Sequence, residues 1–183
     1  MRGAPWSRRR LLLAALIGVP ACWKAGRAAD TSRTITRHLE LTNIHTGEVA
    51  SVTFSDAHSM PPDSLARLQH LLRDYRRDEE HAMDPQLYVL LSDLAREAGY
   101  EPRYEVISGY RSPATNQRLR ATGHAVAEHS QHMQGRAMDV RLIGCPLSRL
   151  RDLALAARRG GVGYYPRSGF VHMDTGRVRS WQE

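Results

Sequence analysis

The sequence predicts a small single domain of the α+β class, in which an antiparallel sheet packs against helices. Three observations lead to this prediction: segments in which apolar and polar residues alternate, segments with leucines at helical spacing, and glycines or prolines at the boundaries between them. The two kinds of segment are interleaved along the chain, and no internal repeat separates them. We therefore expect the helices and the sheet to share one core.

The first half of this pattern predicts a hairpin followed by two helices. Alternation over residues 35–43 and 48–55 predicts two antiparallel strands. A helix is expected after Pro61, Pro62 and Asp63, and residues 73–77 are interpreted as its solvated, arginine-rich end. The second helix is expected to begin at Asp84-Pro85 and to end at Gly99.

The second half predicts more strands, with shorter helices between them. The expected strands are 104–107, 137–142, 162–165 and 170–174, the expected helices are 113–122 and 146–157, and residues 123–134 are expected to form a loop. The last two strands are joined by a short turn at residues 166–169, which predicts an antiparallel pair.

The N-terminal residues have the pattern of an export signal. Arg8, Arg9 and Arg10 precede an apolar run that ends near Ala21, and small residues follow at 26–29. The run is shorter than the roughly twenty residues that a spanning helix needs. We expect residues 1–29 to be a cleaved signal of the twin-arginine type, which predicts a periplasmic protein with no membrane span after cleavage. An uncleaved anchor and lipidation at Cys22 are the alternatives.

Removal of this signal changes the charge of the protein. Six of the 26 basic residues lie in the signal, so 20 basic residues face 19 acidic ones in the mature chain. A nearly neutral domain gives no support to nucleic-acid binding. Only Cys145 remains after cleavage, which excludes an intramolecular disulfide. The remaining chain of about 154 residues is long enough to bury a core of its own, and we expect a monomer.

Three residues in the second half form a candidate metal-ligand set. His132 lies in a polar turn, Asp139 enters an apolar strand, and His172 lies inside a short alternating strand. Two imidazoles and a carboxylate, with one position left open for water, are typical of catalytic zinc sites. Zinc held in this way lowers the pKa of a bound water to about 7. The alternative is that they are ordinary buried or turn residues.

Two further residues are candidates for chemistry beside this set. Arg111 follows a predicted strand end, where its guanidinium could stabilise charge on a scissile carbonyl, clamp a substrate carboxylate, or form a structural salt bridge. Asp174 lies two residues after His172 and therefore shares its strand face. It could act as a general base or orient a metal ligand. His124 and His129, in the loop before His132, could face the substrate.

These motifs resemble those of a known enzyme family. The pattern Ser-x-His-x-x-Gly-x-Ala-x-Asp at residues 130–139, the later His172, and Ser-Gly-Tyr-Arg-Ser at 108–112 are similar to the zinc D-alanyl-D-alanine peptidases of hedgehog-like fold. Segments 41–48, 73–76 and 160–168 resemble those of its murein endopeptidase subgroup. The resemblance covers nearly all of residues 30–183, which it identifies as a zinc peptidase domain.

The resemblance implies a periplasmic hydrolase that cuts cross-linked peptides of peptidoglycan. It implies one Zn²⁺ per chain, held by His132, Asp139 and His172, with Arg111 as the arginine that stabilises the transition state. Many members of the wider family carry an acidic general base three positions before the last histidine ligand, where this chain has Gly169. The general base is therefore left open. A D,D-carboxypeptidase and a non-catalytic, zinc-containing wall-binding module are the alternative functions.

Overall fold

The computed structural model describes residues 35–123 and 126–183, which form a seven-stranded sheet with four α-helices. The predicted signal at residues 1–29 lies outside the described residues. The elements in chain order are β1 Arg37–Asn43, β2 Val49–Phe54, α1 Pro62–Leu71, α2 Pro85–Ala98, β3 Arg103–Ser108, α3 Pro113–Ala121, β4 Ala137–Leu142, α4 Leu147–Ala157, β5 Gly161–Tyr165, β6 Phe170–Asp174 and β7 Arg179–Gln182. The α+β class is confirmed.

The prediction of an antiparallel sheet is wrong, because the sheet is mixed. Its strand order is β2-β1-β3-β4-β6-β5-β7. The hairpin β1–β2 and the pairs β3–β4, β4–β6 and β5–β6 are antiparallel, but β1–β3 and β5–β7 are parallel. Between β1 and β3 the chain passes through β2 and two helices, and such a long connection lets β3 run in the same direction as β1.

Two short elements of the structure were not predicted from the sequence. Residues Gln131–Gln134 form a single 3₁₀ turn inside the segment expected to be a loop, and β7 forms at the C-terminus. The turn ends at Gly135, whose φ of 64° is in the left-handed region that glycine adopts without strain. The backbone N–H of Asp84 donates to the carbonyl of Gly135 at 2.8 Å, which ties this turn to the start of α2.

Helices α1, α2 and α4 cover one face of the sheet. The leucines of α2 that recur at helical spacing are buried, as predicted, together with apolar residues of the strands. In the centre of this core the Tyr104 hydroxyl donates to the carbonyl of Leu91 at 2.8 Å. Since this bond gives a buried hydroxyl a partner, it removes the free-energy cost of burying it.

The opposite face of the sheet carries the polar residues. Alternation along β6 directs Val171 and Met173 toward the helices and leaves His172 and Asp174 on the other side. The pairing of β3 with β4 shifts its register between Val106 and Ser108, and Ser108 lies opposite Asp139. Such shifts redirect side chains. Among residues 35–123 and 126–183, no helix has the length and apolar character needed to cross a membrane.

Candidate metal centre

His132, Asp139 and His172 meet in one buried cluster. Asp139 on β4 lies directly opposite His172 on β6 in the antiparallel register. His132 reaches the same point from the 3₁₀ turn that precedes β4. Its Nε2 atom lies 3.2 Å from His172 Nδ1 and 3.3 Å from Asp139 Oδ1, and the last two atoms are 2.9 Å apart. The structure therefore brings together the three ligands proposed from the sequence.

The spacing of these three atoms fits a tetrahedral metal site. Ligand bonds of about 2.0–2.1 Å in tetrahedral geometry place neighbouring ligand atoms roughly 3.3 Å apart. The separations of 2.9–3.3 Å in the structure are close to that value. Within the described residues, this is the one group of three or more His, Cys, Asp or Glu side chains close enough to share an ion.

Both histidine rings are oriented by a hydrogen bond on the side away from the cluster. His132 Nδ1 lies 2.7 Å from the carbonyl oxygen of Gly109, and because a carbonyl only accepts, this nitrogen carries the proton. The lone pair of His132 Nε2 is then free to bind a metal. His172 Nε2 lies 3.1 Å from Asp174 Oδ2, which leaves His172 Nδ1 directed at the cluster. Carboxylate–histidine–metal chains of this kind are common in metal sites.

The glycine at position 109 makes the first of these contacts possible. A Cβ atom at Gly109 would lie 2.5 Å from the backbone oxygen of Leu72. Only a residue without a side chain lets the backbone pass this close to the end of α1. A hydrogen bond from the N–H of Tyr110 to the carbonyl of Leu72, at 2.7 Å, joins the same two backbone segments.

Asp174 lies behind His172, on the side away from the pocket. Its side chain is fully buried and accepts hydrogen bonds from the backbone N–H groups of Gly161 and Gly176 at 3.1 and 2.8 Å. Arg179 from β7 donates to both carboxylate oxygens, at 3.0 and 2.6 Å. Burial acts to raise the pKa of Asp174, but its hydrogen bonds to His172 and Arg179 outweigh this and hold the pKa below the usual range.

The two histidines differ in charge because only one lies between carboxylates. Burial lowers the pKa of His132, which favours its neutral, metal-binding form. Burial acts in the same direction on His172, but hydrogen bonds with Asp139 and Asp174 overcome it and raise the pKa of His172 to about 9. The pKa of Asp139 is lowered by both histidines against the effect of burial. A divalent cation bound to these atoms would take the place of the proton on His172.

Arg111 is buried beside the cluster and keeps free hydrogen-bond donors. Its Nη2 atom lies 3.7 Å from Asp139 Oδ2 and 3.4 Å from Ser108 Oγ, and its Nε atom is buried with no partner among the described residues. Burial lowers the pKa of Arg111, Asp139 opposes this shift, and the charge of Arg76 adds to it. A guanidinium nevertheless stays protonated in proteins, so Arg111 presents a fixed positive charge.

Two residues of β7 complete the site and were not found by sequence analysis. Arg179 holds Asp174, and the Trp181 ring lies 5.1 Å from the His172 ring, with its Nε1–H donating to the hydroxyl of Tyr165 at 2.8 Å. A Cβ atom at Gly163 would lie 2.6 Å from the Trp181 ring. The glycines at 161 and 163, on one face of β5, were the available signal, since glycine inside a strand marks a close approach.

The ligands line the floor of a pocket of about 590 Å³. Arg111 and His129, both singled out from the sequence, line it as well, and His129 is exposed. His124 lies outside the described residues. Further residues around the pocket are His45, Arg76, Ser108, Tyr165, Phe170, Trp181 and Glu183. The pocket thus combines apolar and aromatic side chains with a few charged groups and the three ligand candidates, as is common for sites that bind small molecules.

Gly169, at the position where the family resemblance implies a base in other members, has a backbone conformation that favours glycine. Gly169 lies in the turn between β5 and β6, with a φ of 76°, and its N–H donates to the carbonyl of Tyr165 at 2.8 Å. A side chain at this φ would be strained. In this chain, residue 169 therefore belongs to the tight turn that joins β5 to β6.

Comparison with known proteins assigns the chain to a family. The family model described as "Peptidoglycan L,D-endopeptidase MepK", of the M15 peptidases, matches residues 31–181. The chain belongs to this family, which confirms the resemblance noted in its motifs. No solved structure matches the chain.

Two curated relatives with similar descriptions match the chain over most of their length. The chain is 42% identical over 182 residues to the peptidoglycan L,D-endopeptidase MepK of Escherichia coli K12, covering 96% of this chain and 97% of the relative. It is 43% identical over 147 residues to a probable peptidoglycan L,D-endopeptidase MepK of Haemophilus influenzae, covering 80% of this chain and 79% of that protein.

The hydrogen bond between Asp174 and His172 predicts a measurable effect on metal affinity. In Asp174→Asn the ring of His172 loses its anionic partner, so the affinity of the site for Zn²⁺, the cation expected from the sequence, should fall about 10–100-fold. Competition with a chromophoric chelator measures the affinity, and denaturant unfolding checks that the fold is retained. Asp152→Asn, on the exposed side of α4, is the control and should bind zinc like the wild type. Unchanged affinity together with a large loss of rate at saturating zinc would instead assign Asp174 the role of general base.

Proposed function

We propose that this protein is a zinc-dependent murein endopeptidase that hydrolyses peptide cross-links of peptidoglycan. The observation that carries the proposal is the buried His132–Asp139–His172 cluster at the bottom of a pocket, with Arg111 beside it. Membership of a family of peptidoglycan endopeptidases supports the substrate class. Because the relatives are named L,D-endopeptidases, we propose that the bond cut lies between an L- and a D-configured centre.

We propose one Zn²⁺ per chain, held by His132, Asp139 and His172. The mixed set of two imidazoles and one carboxylate is typical of catalytic zinc, whereas the harder cations Mg²⁺ and Ca²⁺ prefer oxygen ligands alone. When bound, zinc supplies the Lewis-acid chemistry that promotes the attack of water on a peptide carbonyl. The pocket lies on the open side of the ligands, where a substrate carbonyl can approach.

The roles that remain are stabilisation of the oxyanion, orientation of a metal ligand and proton transfer, and we assign each to a residue. Arg111 stabilises the negative charge that develops on the carbonyl oxygen, and its unpaired Nε–H is available for that bond. Asp174 is assigned to holding His172 rather than to proton transfer, because it is fully buried and its oxygens are occupied by four donor groups besides His172. His129, which is exposed on the pocket, is then the candidate general base.

We propose a hedgehog-like arrangement for the domain at residues 30–183, on the basis of the motif order and the mixed sheet with helices on one face. A monomer with one catalytic centre is consistent with ligands that all come from one chain. We also propose that residues 1–29 are a cleaved signal that sends the protein to the periplasm, where its substrate lies.

Digestion of purified sacculi tests the function. Wild-type protein loaded with zinc should convert cross-linked muropeptide dimers to monomers, as identified by chromatography and mass spectrometry. His172→Ala, which removes a ligand, should lose both metal and activity. Loss of a terminal alanine with the cross-links intact would instead indicate a D,D-carboxypeptidase. Binding to sacculi without any product would indicate a wall-binding module.

The role of Arg111 predicts a loss of rate without a loss of metal. Arg111→Ala should keep about one zinc per chain while the rate of cross-link hydrolysis falls about 10²–10³-fold, the usual effect of removing one oxyanion donor. Arg118→Ala, on the exposed side of α3, is the matched control and should react like the wild type. A rate within twofold of wild type in Arg111→Ala would contradict the assignment.

The export proposal predicts dependence on the paired arginines. A fusion of residues 1–30 to a folded reporter should reach the periplasm through the twin-arginine route, and replacing Arg8 and Arg9 together with lysine should block it. Cell fractionation of the two fusions measures the effect. Export of the double variant at the level of the parent would contradict this route.

A further inference from the structure

Arg76 lines the pocket of the metal centre, although it is remote from the ligands in sequence. The sequence interpretation placed it on the solvated end of the first helix. In the structure α1 ends at Leu71, and the following turn carries Arg76 to the pocket that also contains Arg111 and His129. Two arginines from distant segments therefore face the same space.

Arg76 differs from its neighbours in lacking a carboxylate partner. Arg73 pairs with Glu48 and Asp78, and Arg77 pairs with Glu79. Of the other arginines lining the pocket, Arg179 pairs with Asp174, and Arg111 lies 3.7 Å from Asp139. Among residues 35–123 and 126–183, no carboxylate lies within ion-pair distance of the Arg76 guanidinium, whereas both neighbouring arginines have such a partner. Its charge is therefore available to an anion that enters the pocket.

The guanidinium of Arg76 lies over one aromatic ring, which in turn stacks on a second. Its Cζ atom lies 4.3 Å from the centre of the Tyr75 ring, a cation–π distance. The Tyr75 ring stacks on His45 with 4.4 Å between ring centroids. His45 Nε2 donates to the carbonyl of Ile107 at 3.1 Å, at the end of β3 and next to Ser108. This stack places the exposed side chain of Arg76 beside the end of β3 and the site.

A buried carboxylate ties the segments of the two arginines together. Asp74 Oδ1 accepts from the backbone N–H of Arg76 at 3.2 Å. Asp74 Oδ2 accepts from the N–H and hydroxyl of Ser112, at 3.0 and 2.6 Å. Ser112 follows Arg111 directly in the chain and begins α3. Asp74 is therefore a positioning residue that fixes the turn of Arg76 relative to Arg111.

We propose that Arg76 is a specificity-determining residue that binds a carboxylate of the peptide substrate at one side of the scissile bond. The inference rests on the proposed peptidase function and names the group that this part of the pocket recognises. The planar fork of a guanidinium binds a carboxylate through two parallel hydrogen bonds, which selects for charge and for geometry together. Arg111 is then left free to act on the reacting carbonyl.

Matched substrates test this inference. The substrates are a soluble cross-linked peptide with all its carboxylates free and a set of analogues in which one carboxylate at a time is converted to an amide. For one analogue, kcat/KM of the wild type should fall about 10- to 100-fold, mainly through KM, which is the effect of losing one charge-assisted contact. With the peptide whose carboxylates are all free, kcat/KM of Arg76→Gln should be lower than that of the wild type by the same factor. Converting the recognised carboxylate to the amide should not lower kcat/KM of Arg76→Gln any further. Arg76→Lys should recover part of the loss.

Arg77→Gln is the control, since Arg77 lies in the same turn, pairs with Glu79 and does not line the pocket. It should react like the wild type with every substrate. The inference is overturned if Arg76→Gln cleaves the free-carboxylate peptide with the kcat/KM of the wild type. It is also overturned if kcat/KM of Arg76→Gln falls by the same factor, relative to the wild type, on that peptide and on every amide. Wild-type protein that discriminates against no amide overturns the inference alone. Wild-type protein that cleaves no peptide at all overturns the proposed function and this inference with it.

Discussion

The pairing of Asp139 with His172 across β4 and β6 is the interaction on which the site depends. In an antiparallel pair, residues directly opposite each other have side chains on the same face and a few ångströms apart. The register therefore places an oxygen and a nitrogen ligand 2.9 Å apart without help from any loop. A shift of one residue would turn His172 toward the helices and Met173 toward the pocket. Ligands that lie on central strands in this way are held rigidly by the sheet.

The row of residues through this pair continues to the edge of the sheet. Ser108 lies opposite Asp139 on one side, and Gly163 lies opposite His172 on the other, with Trp181 beyond it. The absence of a side chain at Gly163 allows the Trp181 ring to contact His172. The tilted Trp181 ring, 5.1 Å from the imidazole, adds an apolar group beside the cluster, and electrostatic interactions are stronger in less polar surroundings.

Charged groups and backbone donors behind the three ligand candidates stabilise the charges of the cluster. Arg179 and two backbone N–H groups stabilise Asp174, Asp174 holds His172, and His172 shares Asp139 with His132. Each buried charge in this chain of contacts has an opposite charge or a donor beside it, so the free-energy cost of burying it is offset. Asp74 does the same for the segments around Arg76 and Arg111. The pocket wall and its floor are therefore tied to one framework.

The sequence by itself determined the elements and the ligands, whereas the tertiary structure decided how they meet. Periodicity identified four helices and six of the seven strands, because alternation and helical spacing are local properties of the chain. The metal-ligand candidates could be proposed because their residue types and spacing form a recognisable motif.

Local patterns do not specify which strands are neighbours, so the parallel pairs β1–β3 and β5–β7 were missed. For the same reason, contacts between different segments of the chain could not be predicted. Examples are Arg179 with Asp174, Trp181 with His172, and the pocket that Arg76 and Arg111 line together. Asp174 could have acted as a base or as a partner of a ligand by its place in the sequence, and only the folded protein shows it buried against His172, Gly161 and Arg179.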